Sequence, residues 1–255
     1  RLMGDPHLKS MVAKDGVNQA SALVLTRWET AKSLGVADRA IFLHGHATGS
    51  EPKLLNRKSL GQSEAMAAAY RNALAGAGIE SAQVGAADLY SCFPIAVWVA
   101  MDALDMSLDD PRPLTLTGGL PFFGGPGNNY STHGIAEMVH WLRAQPEPAY
   151  GVVGANGGYL SKHAVGVYAN MPAEFPEAVP EFKAAEVVEV VSDPEPDGVI
   201  ESYTFQPQKG AARAVIVGRQ LSDGRRWVGV ADPEDANLLE WFEKADPLGE
   251  QVVVS

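Results

Sequence analysis

Cysteine is nearly missing: Cys92 is the only one in 255 residues. A lone thiol excludes an internal disulfide framework and a cysteine-rich zinc site, and fits a reducing cytosol. Long apolar runs are missing as well. No stretch reaches the ~18–20 residues of a membrane span, and the N-terminus has no signal-peptide core. Positive charge is in short supply, with 20 basic against 31 acidic residues and a formal net charge of −11. That balance argues against nucleic acid and anionic membrane as partners. What is present is ordinary: 46% apolar and 20% charged residues, the composition of a globular, cytoplasmic protein.

The acidic excess is concentrated at one end. Up to Phe175 there are 13 basic and 15 acidic residues; from Pro176 onward there are 7 and 16. Between the two halves lies YANMPAEFPEAVPEF, whose prolines at 172, 176 and 180 exclude a continuous helix. The step in charge and the prolines place a linker over 172–182.

Before the linker, strand-like and helix-like segments alternate. QASALVLT (19–26) reads as a buried strand and RWETAKSLG as a helix ended by Gly35. AIFLHGHA (40–47) reads as a strand, SLGQSEAMAAAYRNALAGAG as an amphipathic helix closed by glycines, and VGAADLY (84–90) as a strand. FPIAVWVAMDALDM reads as a helix with Pro94 in its first turn and with Trp98, Met101 and Met106 packing one face. PLTLTGG and a glycine-rich loop lead into the helix YSTHGIAEMVHWLRAQ, and AYGVVGAN and HAVGVYA close the unit as a strand pair. The alternation predicts a layered α/β domain with a mixed, mostly parallel sheet. After the linker, AEVVEVVS, GVIESYTFQ, ARAVIVGRQ and RWVGVA are short strands, followed by one helix (PEDANLLEWFEKA) and a final run, QVVVS. They predict a small, mainly antiparallel β domain of OB-like type.

Four segments taken in order resemble the thiolase superfamily. VNQASALVLTRWETAKSLGV resembles the junction between the two thiolase halves. DLYSCFPIAVWVAMDAL resembles the segment with the N-E-A-F box (H-D-C-F in the sterol-carrier-protein type). LTLTGGLPFFGGPGNNYSTHGIAEMVHWLR resembles the G-H-P segment, and AYGVVGANGGYLSKHAVGVY the C-x-G segment. The acidic tail resembles the addition found in type 1 thiolase-like proteins. The resemblance implies that 1–26 end the N-terminal half, that 27–171 form the C-terminal half, and that 183–255 form the additional domain. The opening RLMGDPHLKSMVAKDGVNQ accordingly reads as the middle of a longer protein, whose missing N-terminal thiolase half would carry the nucleophilic cysteine. By this reading the 255-residue piece alone is inactive. The implied activity is acyl transfer of the acetyl-CoA acetyltransferase type in lipid metabolism, through an acyl-cysteine thioester. Coenzyme A or acyl-CoA is then the substrate, with no covalently bound cofactor, and a homodimer is compatible with it.

Carried over residue by residue, the family's boxes are altered. Tyr90 falls where the Asn or His of the second box stands, and Cys92 where the H-D-C-F cysteine stands. Lying at a helix start, Cys92 is a candidate acid/base, although the reading as a small buried thiol is favoured. The G-H-P histidine falls on Gly125, and the nearest downstream imidazole is His133. The C-x-G cysteine falls on Ala155, next to Asn156, which retains an amide donor. The loop glycines Gly118, Gly119, Gly124, Gly125 and Gly127, with Asn128, open a helix whose N–H groups suit an oxyanion or the CoA phosphates. His44 and His46, two apart on one strand face, have metal-ligand spacing without a second ligand pair, so a core or interface role is favoured and no metal is expected. Two other readings stand beside the enzyme: a CoA-binding protein without Claisen chemistry, and an interaction module that recruits a partner through its acidic domain.

Overall fold

The computed structural model describes residues 2–4, 6–206 and 213–254. In chain order the elements are β1 (Leu2–Gly4), β2 (His7–Leu8), α1 (Trp28–Ser33), β3 (Phe42–Ser50), α2 (Glu64–Ala77), β4 (Val84–Asp88) and α3 (Pro94–Ala103). They continue with α4 (Tyr130–Arg143), β5 (Tyr150–Gly157), β6 (Lys162–Ala169), β7 (Phe182–Lys183), β8 (Asp197–Gln206), β9 (Arg213–Gln220), β10 (Arg226–Val230), α5 (Ala236–Lys244) and β11 (Gln251–Val253). The chain divides into two compact units, one of residues 12–51 and 61–184, the other of 1–11, 52–60 and 185–255.

The larger unit is built on a five-stranded sheet of order β4-β5-β6-β3-β7. Its edge pairs, β4–β5 and β3–β7, are parallel, while β5–β6 and β6–β3 are antiparallel. The sheet is therefore mixed in equal parts rather than mostly parallel, because the tight turn between β5 and β6 can only join antiparallel strands. Ser63 caps α2, its hydroxyl accepting from Met66 N–H, and Gly78 in the left-handed region (φ 66°) ends it. The alanine-rich face of α2 lies directly on β3. A side chain at Gly45 or Gly49 would collide with the backbone of Ala73 or Ala65, so glycine is what permits the close approach. Met66, Tyr70, Val99, Met101, Val152 and Val167 fill the layer between the sheet and α2 and α3. Met138 and Leu142 of α4 fill the other face against Ala86 and Val153. Met101 and Met106 are buried as expected, whereas Trp98 is half exposed.

One sequence expectation changes here. Residues 19–26 form no strand: Val24 and Leu25 are 94% and 89% exposed, since the segment has no partner strand among the described residues to complete its hydrogen bonds. PLTLTGG is an irregular segment that only accepts along β4, from Ala87 N–H to Pro113 O and from Leu89 N–H to Leu114 O. Prolines at 111 and 113 remove the donors that a strand there would need.

The smaller unit is an antiparallel half-barrel of order β10-β9-β8-β11. Trp227, Phe205, Ile200, Ile216 and Phe242 of α5 form its core. Among the described residues the segment AEVVEVVS pairs through isolated bridges, Val187 with Arg57 and Val190 with Arg226, rather than as a strand. Arg226 has no exposed surface. Its guanidinium donates to both oxygens of Glu201 at 2.7 Å and to the carbonyls of Leu55 and Arg57, fixing segment 52–60 to this unit. The final run QVVVS supplies β11. The start of the expected strand ARAVIVGRQ, at 212, and the rest of 207–212 lie outside the described residues.

Candidate functional site

β4 ends on Asp88, and residues 89–93 lead directly into α3, where Pro94 occupies the first turn. Tyr90, Ser91 and Cys92 are thus presented between a strand end and a helix start. Tyr90 packs edge-on against Tyr130 (centroids 5.4 Å apart), Tyr130 against Phe123 (6.2 Å), and Phe123 against His133 (5.1 Å). The His133 ring also meets the Asn129 amide at 3.4 Å. Burial raises the Cys92 thiol above its ordinary range, against the pull of the backbone N–H groups of Phe93 and Cys92 itself. It is therefore held as thiol rather than thiolate. Burial, and then the charge that Cys92 would carry, raises Tyr90 as well. Of the four catalytic candidates, Tyr90 and His133 border one aromatic cluster, and Cys92 lies close enough to Tyr90 for its charge to act on it.

The glycine-rich loop completes this region. Gly118, Gly119, Gly124 and Gly127 have positive φ, while Gly125 does not. Many of the loop's N–H groups are already engaged. Gly119 donates to Thr117 Oγ1, Leu120 to Ser91 Oγ at 3.0 Å, Gly125 to the Lys14 carbonyl at 2.7 Å, and Gly127 to the Gly125 carbonyl. Residues 13–19 strap the loop from outside: Ala13 N–H donates to Cys92 O, Lys14 N–H to Leu120 O, and Gln19 Nε2 to Phe123 O.

Beneath the loop lies a carboxyl group that sequence reasoning passed over. Asp88 is fully buried. Its Oδ2 accepts from the N–H groups of Leu116 and Thr117 and from Thr117 Oγ1, while its Oδ1 has no hydrogen-bond partner among the described residues. Thr117 Oγ1 also meets the Tyr130 hydroxyl at 2.7 Å. Burial raises the Asp88 carboxyl, with the polar groups of Thr117, Tyr130 and Leu116 opposing. The available signal was an aspartate closing a strand of otherwise small apolar residues, a place where a charge must be paired.

Asn156 stands in a different constellation. Its Oδ1 lies 2.9 Å from His163 Nδ1; His163 Nε2 lies 3.2 Å from Ser63 Oγ; and Ser63 Oγ lies 2.6 Å from Glu51 Oε1. His163 and Ser63, both buried, were also missed. The alternation of HAVGVYA, which sends His163 inward with Val165 and Val167, was the signal. His44 is the extra residue of a β-bulge in β3, so the alternation that would align it with His46 is interrupted. Its Nε2 lies 2.9 Å from the Met171 carbonyl, and His46 packs against Phe175. Among the described residues no three His, Cys, Asp or Glu side chains gather as metal ligands.

Residues 174–255 match the family described as the thiolase-like protein type 1 additional C-terminal domain. Over its whole length the chain also superposes, with a TM-score of 0.87 and 39% identity, on a structure from Mycobacterium smegmatis described as a monomeric SCP2-thiolase like protein type 1. The fold is thiolase-like. The chain spans 57% of the length of that thiolase-like relative. Human mitochondrial 3-ketoacyl-CoA thiolase is matched at 18% identity and a TM-score of 0.45, over 57% of this chain and 34% of that one. A second structure of that enzyme, in complex with CoA, is matched at 17% and 0.44, over 56% and 33%. No curated protein matches the sequence. Among the described residues no helix is long and apolar enough to cross a membrane.

Proposed function

We propose that the protein is a thiolase-like acyl-CoA acyltransferase of the acetyl-CoA acetyltransferase type whose Claisen chemistry is weakened. One observation carries this reading. In a thiolase-like fold, Tyr90 and His133 border the aromatic cluster that Phe123 of the loop 118–128 joins, with Cys92 beside Tyr90, while Gly125 and Ala155 stand where the resemblance puts the family's histidine and cysteine. Acyl transfer needs a thiolate that attacks the thioester carbonyl, after which the bond to the CoA sulfur breaks and CoA leaves as a thiol with one proton. The thiolate belongs to the part of the protein outside this chain. Cys92, raised by burial, and Tyr90 are proton holders at neutral pH, suited to protonating the departing CoA sulfur. Without the histidine and second cysteine, enolate stabilisation is poor; losing one such donor costs roughly 10²–10³ in rate.

A second reading, binding of CoA or acyl-CoA without catalysis, is favoured by the Gly125 N–H, which already donates to Lys14 rather than awaiting an oxyanion. The Mycobacterium smegmatis relative is described as monomeric, which supports a monomer over a homodimer. Thiolysis of acetoacetyl-CoA and calorimetry with CoA, both on the full-length protein, test these readings together. The expected result is CoA binding with turnover far below the ~10 s⁻¹ typical of enzymes. Turnover near that value overturns the weakening, and no binding at millimolar CoA overturns both readings. Acetylation of a protein cysteine by acetyl-CoA, read by mass spectrometry, separates transferase from binder.

A further inference from the structure

Glu51 just past β3, Ser63 at the start of α2, Asn156 on β5 and His163 on β6 form one line of hydrogen bonds. Asn156 and His163 are direct cross-strand partners. The order Ser–His–Asn has the appearance of a nucleophile, its base and the base's orienter. Counting protons gives a different assignment. The Ser63 hydroxyl has one hydrogen and already accepts from Met66 N–H at 3.1 Å. A carboxylate has no hydrogen to give, so across the 2.6 Å contact the hydroxyl donates to Glu51. Glu51 Oε1 is held there by a second donor, Ala65 N–H at 2.9 Å. Ser63 Oγ then faces His163 Nε2 as an acceptor, and the hydrogen between them belongs to the ring. On its other side the ring meets Asn156 Oδ1, also an acceptor.

We infer that His163 donates from both ring nitrogens, to Ser63 and to Asn156, and is a positioning residue that holds the Asn156 amide with its Nδ2 turned away from the ring as a donor. Ser63 is then no nucleophile. Glu51 supplies the counter-charge through the serine. On the two elements themselves, the charged residues next along the chain are Glu64 in the first turn of α2 and Lys162 beside His163 on β6, both exposed. Tyr70, about two turns further along α2, is a buried phenol raised by burial and so neutral. If the ring lost its Nδ1 proton, the Asn156 amide would turn over and donate Nδ2 to it. The charge on His163 thereby decides whether Asn156 keeps a donor for a ligand. What that donor meets rests on the proposed acyl-CoA reading; the proton placement does not.

Nitrogen-15 imidazole NMR on the unaltered protein tests the placement directly, with His163 assigned through bonds from its own backbone. Two slowly exchanging N–H signals are expected for His163 at neutral pH. Glu51→Gln removes the counter-charge and is expected to abolish the Nδ1–H signal. Asn156→Asp still accepts from Nδ1 and is expected to keep both signals while losing the amide donor. A single hydrogen on Nδ1 with Nε2 bare would make Ser63 the donor and overturn the assignment. A single hydrogen on Nε2 would mean a neutral ring and a reversed amide, and overturns it equally. Two signals in a protein that binds no CoA would leave the placement standing and refute the acyl-CoA reading instead.

Discussion

The Gly125 N–H donates to the Lys14 carbonyl at 2.7 Å, so a strap of the same chain is bonded to the position on which the resemblance to thiolases puts the family's histidine. A β-carbon at Gly125 would meet Leu120 Cδ2 at 3.2 Å and Ala13 Cβ at 3.4 Å. The backbone there is not left-handed, so the obstacle to a side chain is space rather than φ. Gly125→His is therefore expected to cost about 1–3 kcal/mol through overpacking. It should also leave thiolysis unrestored. Thermal melting and the acetoacetyl-CoA assay check both halves of the expectation, and a gain in turnover without loss of stability would contradict them.

Cys92 offers a separate check because no other thiol competes with it in this chain. Burial outweighs the two backbone N–H groups that favour its thiolate. Since the thiolate is the reactive form, alkylation by iodoacetamide at pH 7 should be slower than for an unfolded-chain cysteine. Its pH–rate profile should be displaced to higher pH. Mass spectrometry of a time course reads this directly. Rapid labelling at neutral pH would mean that the helix start dominates after all.

Asp88 makes stability depend on pH. Its folded carboxyl is raised by burial, so it holds a proton more tightly in the folded than in the unfolded state. Its contribution is then full below the unfolded value of ~3.9 and declines as pH rises through the folded value. Asp88→Asn, which keeps an acceptor for Leu116 and Thr117, should flatten that decline. Asp88→Ala instead orphans those N–H groups, at a cost of up to about 1–3 kcal/mol each. Denaturant titrations at several pH values distinguish the two variants.

Much of the fold was legible because its signals are local. The glycine stops at 35 and 78 and the proline start at 94 each follow from backbone chemistry at a single position. The strand expected at 19–26 failed because apolar composition alone does not supply a hydrogen-bonding partner. The site was legible only in part. Tyr90, Cys92 and His133 lie in segments whose order in the sequence matches a known pattern. The pairing of His163 with Ser63, one hundred residues apart, depends on β3, β5 and β6 coming together under α2. No periodicity within either segment encodes that contact.

In the smaller unit, Arg226 binds Glu201 and the carbonyls of Leu55 and Arg57. Burial disfavours the Glu201 carboxylate, but Arg226 and Arg219 outweigh it and hold the carboxyl below its ordinary range. A depressed carboxyl contributes fully above the unfolded value of ~4.3 and loses that contribution as pH falls through the folded value. Arg226→Met keeps the bulk of the side chain but leaves Glu201 with Arg219 alone, and it leaves the two carbonyls without their donor. Breaking a buried pair of this kind typically costs about 3–5 kcal/mol, so a loss at the lower end is expected for a pair whose carboxylate is partly exposed. Segment 52–60 should loosen with it. Hydrogen exchange should therefore accelerate at Asn56, Arg57 and Val188, whose amides bond within or onto that segment. If exchange there were unchanged while global stability fell, Arg226 would support the sheet without holding the segment.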